Sequence, residues 1–287
     1  MSFTPSPQPI QPLSIGNVVS AGLRLYGSHI RSYLKLAFIA YAWILIPIYG
    51  WAKCGATLAV ISRLAYSELV EQPESVSEAS RVVNTRLWQF FVMGLLMLLL
   101  VLGVTIGLII VSFILALIAG LILSGLFPNV TDSSILNPVV ALLVGLLVLV
   151  YFVLIFAAIL WIQARFIVVE VPLAIEDYVD GASTIGRSWD LTKGSVWRIA
   201  AIAFIAYLIT IPLQLPFSIL SFIIQMFLQP LAQENTSFLL LLTLANLVLT
   251  LTSAAIVVPF WQTIKAVLYY DLRSRREGFG LKLRHRP

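Results

Sequence analysis

The sequence predicts an all-α, polytopic transmembrane helical bundle, and three observations carry that prediction. Only 11% of the residues are charged while 60% are hydrophobic, where a soluble domain would carry about a quarter charged residues. Several apolar runs exceed the ~18 residues that mark a bilayer-spanning helix, since the hydrocarbon core is about 30 Å thick and a helix rises about 1.5 Å per residue. Lys and Arg cluster at some connections and are absent from 128–137 and 229–237, as expected when basic residues stay on the cytoplasmic side. Runs such as LLMLLLVLGVTIGLIIVSFILALIAGLIL do not alternate apolar and polar residues, which argues against a β-barrel.

Along the chain, residues 1–12 (MSFTPSPQPIQP) are Pro-rich and lack an apolar core, so they read as a disordered arm and not as a signal peptide. Six apolar segments follow: Tyr33–Trp51, Cys54–Val70, Leu87–Phe127, Pro138–Ile162, Trp197–Pro230 and Phe238–Tyr270. Cys54–Val70 is the weakest, with Arg63 at its centre and Glu68 near its end, an expected intramembrane pair. Leu87–Phe127 is overlong, and Gly103, Gly107 and Gly120 would permit a break. Pro212 and Pro216 should bend Trp197–Pro230, because proline cannot donate to the helix ladder.

Charge then sets the topology. The connections 128–137 and 229–237 hold no Lys or Arg, only Asp132 and Glu234. Basic residues precede the first span (Arg24, Arg31, Lys35), precede the third (Arg81, Arg86), separate the fourth from the fifth (Arg165, Arg187, Lys193, Arg198) and close the chain (Arg273, Arg275, Arg276, Lys282, Arg284, Arg286). About six spans result, both termini are cytoplasmic, and Leu87–Phe127 crosses once.

The charged stretches are related. RLYGSHIRSYLKL (24–36) aligns with RSWDLTKGSVWRI (187–199), and SVSEASRVVNTRLWQF (75–90) is a looser copy. Each precedes a long apolar run and has an apolar face at helical spacing: Ile15, Val18, Val19, Gly22, Leu23, Tyr26 and Ile30 in the first; Val76, Ala79, Val82, Val83 and Leu87 in the second; Ala182, Ile185, Trp189 and Val196 in the third. Ser75-x-x-Glu78 forms a capping box. The return helices end in a basic-then-acidic pair: Arg63/Glu68, Arg165/Glu170, Lys265/Asp271. The chain therefore reads as one transmembrane domain (13–272) of three repeated hairpins (about 13–71, 75–170 and 177–272), each led by a cytoplasmic-face interfacial amphipathic helix, with a basic cytoplasmic tail (273–287).

PLAIEDYVDGASTIGRSWDLTKGSVWRI (172–199), PLSIGNVVSAGLRLYGSHIRSYLKL (12–36) and YYDLRSRREGFGLKL (269–283) resemble the motifs of the membrane-domain family found at the N-terminus of some bacterial glycerophosphoryl diester phosphodiesterases. The wording is nearest to stand-alone, cyanobacterial-type versions without the catalytic barrel. The resemblance implies a helical membrane domain and does not bring phosphodiesterase activity with it. Glu234-Asn235-Thr236 and His285-Arg286-Pro287 echo fragments of that enzyme's motifs, but in reversed order and with no barrel between them.

Other chemistry finds little support. One cysteine excludes an internal disulfide, and two distant histidines, His29 and His285, make no metal-ligand pattern. No nucleophile elbow, phosphate loop or dinucleotide fingerprint occurs. No cofactor, metal or nucleic-acid partner is expected. Candidate contacts to anionic lipid headgroups or to a membrane protein complex are Arg24, Arg31, Arg187, Trp189, Lys193, Trp197, Arg198, Arg273, Arg275 and Arg276, because basic and Trp side chains suit the headgroup level. The expected function is non-enzymatic: an integral protein of the bacterial inner membrane, or of a thylakoid, that organises or supports the bilayer or a complex. The alternative is a transporter or flippase-like carrier of a lipidic or apolar molecule, which predicts a lateral cavity near Pro212 and Gln214. An enzyme acting on lipid would need acidic residues converging on His29.

Overall fold

The computed structural model describes residues 13–126 and 138–277, and among them every regular element is an α-helix. The Pro-rich arm, the loop with Asp132 and the tail beyond Glu277 lie outside the described residues. The helices are α1 (Ile15–Ser28), α2 (Ile30–Trp43), α3 (Tyr49–Leu69), α4 (Val76–Thr85), α5 (Leu87–Leu126), α6 (Pro138–Phe166), α7 (Glu170–Ile175), α8 (Ser183–Thr192), α9 (Val196–Glu234) and α10 (Thr236–Glu277). Four helical stretches are long and apolar enough to cross a membrane: Leu87–Ile122, Val144–Ile175, Val196–Gln233 and Thr236–Glu277.

Tyr33–Trp51 is not one helix. α2 ends at Trp43 and α3 starts at Tyr49. Between them Pro47 has no N–H for a continuing ladder, and Ile48 sits at φ 62°, a region that β-branched residues rarely enter. At 14 residues, α2 is about 21 Å long, short of the hydrocarbon thickness. α5 runs unbroken through Gly103, Gly107 and Gly120, and α9 continues past Pro212 and Pro216. α10 extends through Arg273, Arg275 and Arg276, so these are its last turns and not the start of a tail.

The chain forms two compact units. One unit spans residues 94–163; its described part, most of α5 and α6, is largely apolar and leaves Phe113, Leu121, Phe152 and Phe156 exposed. Within this unit the Ser112 hydroxyl bonds its own helix at Leu108 and meets the Tyr151 hydroxyl.

The other unit holds residues 1–93 and 164–287. Its centre is the C-terminal half of α10, where Phe260, Ile264, Val267, Leu268 and Leu272 are buried. α1, α2, α3 and α9 pack on α10, while α4 and α7 pack on α3. α1 crosses α10 closely at Gly22: the Thr263 hydroxyl donates to the Gly22 carbonyl at 2.9 Å, and a Cβ on Gly22 would run into the Ile264 side chain. Small α3 residues Ala56, Ala59 and Ala65 are fully buried, and the Ser62 hydroxyl meets Gln262 of α10. The capping box of α4 is present, with Ser75 Oγ accepting from Glu78 N and Glu78 accepting from Ser75 N.

α9 and α10, with 39 and 42 residues, are about 58 and 63 Å long, twice the hydrocarbon thickness. One half of each lies in this core. The other halves form a hairpin that presents Phe222, Phe227, Leu240 and Val248 outward.

The apolar faces hold only in part. In α1, Val18, Val19, Gly22 and Tyr26 are buried, but Leu25 joins them while Leu23, and Ile30 at the start of α2, stay exposed. In α4, Ala79 and Val83 are buried and Val76 is not. In α8 the assignment reverses. Thr184, Ser188, Leu191 and Thr192 are buried, whereas Ala182 and Trp189 face out and Ile185 is half-buried. The hydroxyls explain the reversal. Thr184 donates to the Val169 carbonyl just before α7, and Ser188 and Thr192 donate to the Arg165 carbonyl at the end of α6, so they satisfy backbone acceptors there.

Candidate functional site

Three features of the larger unit bear on function: an ionic lattice, an exposed basic and aromatic face, and a groove between α9 and α10.

The lattice takes up most of the cations singled out in the sequence. Asp271, 2% exposed, accepts from Arg198 (2.8 Å), Arg275 (2.9 Å) and the Leu13 N–H (2.9 Å), and both arginines also donate to the Leu13 carbonyl. This pins the chain just before α1 to α9 and α10. Glu176 accepts from Arg187 at 2.8 Å and from the Tyr269 hydroxyl, and Glu277 pairs with both Arg187 and Arg273. Burial alone would lower the Arg187 pKa, but hydrogen bonds to Glu176 and Glu277 outweigh it and hold the guanidinium above its ordinary value. Arg276 donates to the carbonyls of Leu191 and Lys193 at the end of α8. Lys265 pairs with Glu170 at 2.6 Å.

The expected Arg63–Glu68 pair is not made. Five residues along a helix turn a side chain by about 140°, so the two point to different faces. Arg63 instead grips Glu74 through two bonds of 2.7 Å and donates to the Ala174 carbonyl at 2.7 Å. Arg86 donates to the carbonyls of Leu173, Glu176 and Asp177. Two arginines thus cap the C-terminal end of α7, where free carbonyls and the helix dipole attract cations. Glu68 lies 3.2 Å from His29 Nδ1, and the Ser28 hydroxyl meets the same nitrogen at 2.9 Å. A Ser–His–carboxylate relay uses both ring nitrogens; here both groups converge on one.

Of the candidate headgroup contacts, Arg187, Arg198, Arg273, Arg275 and Arg276 are therefore engaged within the protein. Trp189 is exposed on one side and carries the Arg165 guanidinium 4.4 Å from its ring centre. Arg24, Arg31, Lys193 and Trp197 are exposed. Arg24 and Arg31, with Lys35, share α1 and α2 with exposed Leu23, Ile30, Phe38 and Ile39, and they make no ion pair among the described residues.

The groove lies in the α9–α10 hairpin. It is a cavity of about 600 Å³ lined by Gln214, Ser218, Ser221 and Gln225 of α9 and by Thr250, Ser253 and Trp261 of α10. The Asn246 amide oxygen accepts from Ser221 and Gln225 and ties the two helices together. Sequence reading reached Gln214 but missed its neighbours, although their spacing of three and four residues was a legible signal. It also missed Glu74 and Glu176, each 11 residues from its arginine, and the pairing of Glu277 with Arg187, 90 residues away.

These features define an all-helical protein with four helices suited to crossing a membrane. A family model described as a domain of unknown function, DUF7847, matches residues 67–272, and the chain belongs to that family. No curated protein and no solved structure matches it.

Proposed function

We propose that this is a non-enzymatic integral membrane protein that supports the bilayer, or a complex within it, through contacts with anionic lipid headgroups. The observation that carries the reading is the face of α1 and α2, where Arg24, Arg31 and Lys35 stand among exposed Leu23, Ile30, Phe38 and Ile39. A side chain with an apolar stem and a charged tip suits the membrane surface, at about 1 kcal/mol per cation on an anionic leaflet.

In this reading α1, α4 and α8 lie along the cytoplasmic surface, and both termini share that side of a bacterial inner or thylakoid membrane. Three hairpins enter the bilayer. The order of one short helix and two further helices recurs as α1–α2–α3, α4–α5–α6 and α8–α9–α10, which supports an internal repeat. The α2–α3 hairpin is the short one, and its apolar tip of Leu45, Ile46, Ile48 and Trp51 reaches into the lipid. The experiment is vesicle flotation of the detergent-solubilised protein with phosphatidylglycerol vesicles against phosphatidylcholine vesicles. R24Q/R31Q/K35Q should lose the preference for anionic vesicles, while R273Q/R275Q should keep it. An unchanged preference in the triple variant overturns the reading.

A second reading, a lipid carrier, is favoured by one observation. The groove at Gln214 stands where such a carrier needs a lateral cavity.

A further inference from the structure

We propose that the α9–α10 groove is a track along which the uncharged, hydroxyl-bearing headgroup of a lipid passes through the apolar layer while its acyl chains stay in the bilayer. The inference deepens the carrier reading and rests on it. Gln214, Ser218, Ser221, Gln225, Gln229 and Gln233 recur every three or four residues, so they form one polar stripe on an otherwise apolar helix. From the first to the last is about 28 Å of helix, close to the hydrocarbon thickness of about 30 Å.

The stripe is concave along its length. The cavity of about 600 Å³ at its Gln214 end and one of about 360 Å³ at its Gln233 end share Phe222 and Gln225. Volumes of this order suit a ligand. Across the first cavity Thr250 and Ser253 of α10 add hydroxyls, and Asn246 anchors Ser221 and Gln225 between the helices. Pro212 and Pro216 have no N–H for the carbonyls of Leu208 and Pro212, which adds acceptors beside Gln214.

The chemistry of the lining selects the cargo. Every polar side chain in the two cavities is a neutral amide, a hydroxyl or the indole of Trp261, and none is ionisable. Amides and hydroxyls together donate and accept, as sugar or glycerol hydroxyls require. A phosphate or carboxylate headgroup would enter without a cation to meet it, at the cost of a buried unpaired charge. Polar groups at membrane depth are expensive and mark pathways when they are kept.

The test uses the full chain in phosphatidylcholine vesicles carrying a trace of acyl-NBD monogalactosyl diacylglycerol, or of acyl-NBD phosphatidylserine, with dithionite quenching of the outer leaflet. The galactolipid should exchange leaflets on the order of tenfold faster than in protein-free vesicles, and Q225L/Q229L should remove most of that gain, as losing hydrogen bonds along a barrier does. A second block does not depend on those substitutions: Ser218→Cys labelled with a bulky maleimide should also stop exchange, since Cys54 is buried and leaves the new thiol as the reactive one. Equal rates for the two headgroups, or full exchange after both blocks, overturn the proposal. A photoreactive galactolipid separates the remaining failures. Crosslinks on α9 between 214 and 233 without exchange overturn the carrier reading and keep the groove as a binding site. Crosslinks elsewhere overturn the groove itself.

Discussion

At the residue scale, Asp271 shows how a charge so little exposed is kept in an apolar chain. It is 2% exposed and meets two arginines and a backbone N–H. Its attraction to either guanidinium offsets desolvation only while the other partners remain. Asp271→Ala should therefore destabilise the fold by about 3 kcal/mol, as breaking a buried pair does. Thermal unfolding in detergent reads this, and a loss no larger than that of an exposed substitution such as Arg81→Ala would count against the pinning role. Glu78 and Asp180 give the pH dependence. Hydrogen bonds from Ser75 hold the Glu78 pKa below its ordinary value, and those from Ser183 do the same for Asp180. A carboxylate whose pKa is lowered on folding stabilises above its unfolded pKa, and that stabilisation is lost as pH falls through the folded one. Protection of amides at the start of α4, taken relative to their intrinsic exchange rate at each pH, should fall below the ordinary Glu78 value of 4.5, and Glu78→Gln should flatten that fall.

At the scale of elements, two packing contacts stand out. Gly22 lets α1 lie on α10 with the Thr263 hydroxyl on its carbonyl. Gly22→Val would push into Ile264, so overpacking of about 1–3 kcal/mol is expected, with α1 lifting off before the rest unfolds. Limited proteolysis within α1 would register it. α8 is held by hydroxyls as well as by buried Leu191, so Ser188→Ala with Thr192→Ala should cost about 1–3 kcal/mol by removing two donors to the Arg165 carbonyl. Ile185→Ser, on the face that sequence periodicity assigned to the core, should cost less than that pair. The opposite ranking would mean that α8 packs the other way round. The N-cap of α4 is separable from both, and Ser75→Ala should cost about 1 kcal/mol.

For the whole molecule, topology is the quantity to measure. With termini on one side, Ser77→Cys should be labelled by an impermeant maleimide from the cytoplasmic face only, and Ser237→Cys, at the α9–α10 turn, from the opposite face only. Leu45→Cys decides the reach of the α2–α3 hairpin: labelling from the outer face means a full crossing, and protection from both faces means that it stops within the lipid. Either result is compatible with the proposed topology, because a hairpin returns to the side it left.

The sequence by itself determined the class and the long helices. α5, α6, α9 and α10 were legible because apolar runs this long have no other place in water, and their ends were marked by Pro, by caps and by the first charges. The capping box at Ser75 was legible because its two partners are three residues apart. Tertiary structure alone decided where the charges go. Arg63 looked paired with Glu68 in sequence, yet helix geometry separates them and the turn before α4 supplies Glu74. Arg273, Arg275 and Arg276 read as a lipid-binding tail, yet their partners are a glutamate four residues on, an aspartate four residues back and two carbonyls of α8. α8 looked amphipathic in one sense and packs in the other, because the Ser188 and Thr192 hydroxyls that reach the Arg165 carbonyl take the inner face beside Leu191. Hydrophobic patterning is local and periodic, so one chain reports it. Pairs such as Arg198–Asp271 and Arg187–Glu277, and the arginine contacts to carbonyls of other helices, join residues far apart in the sequence, and only the folded contacts specify them.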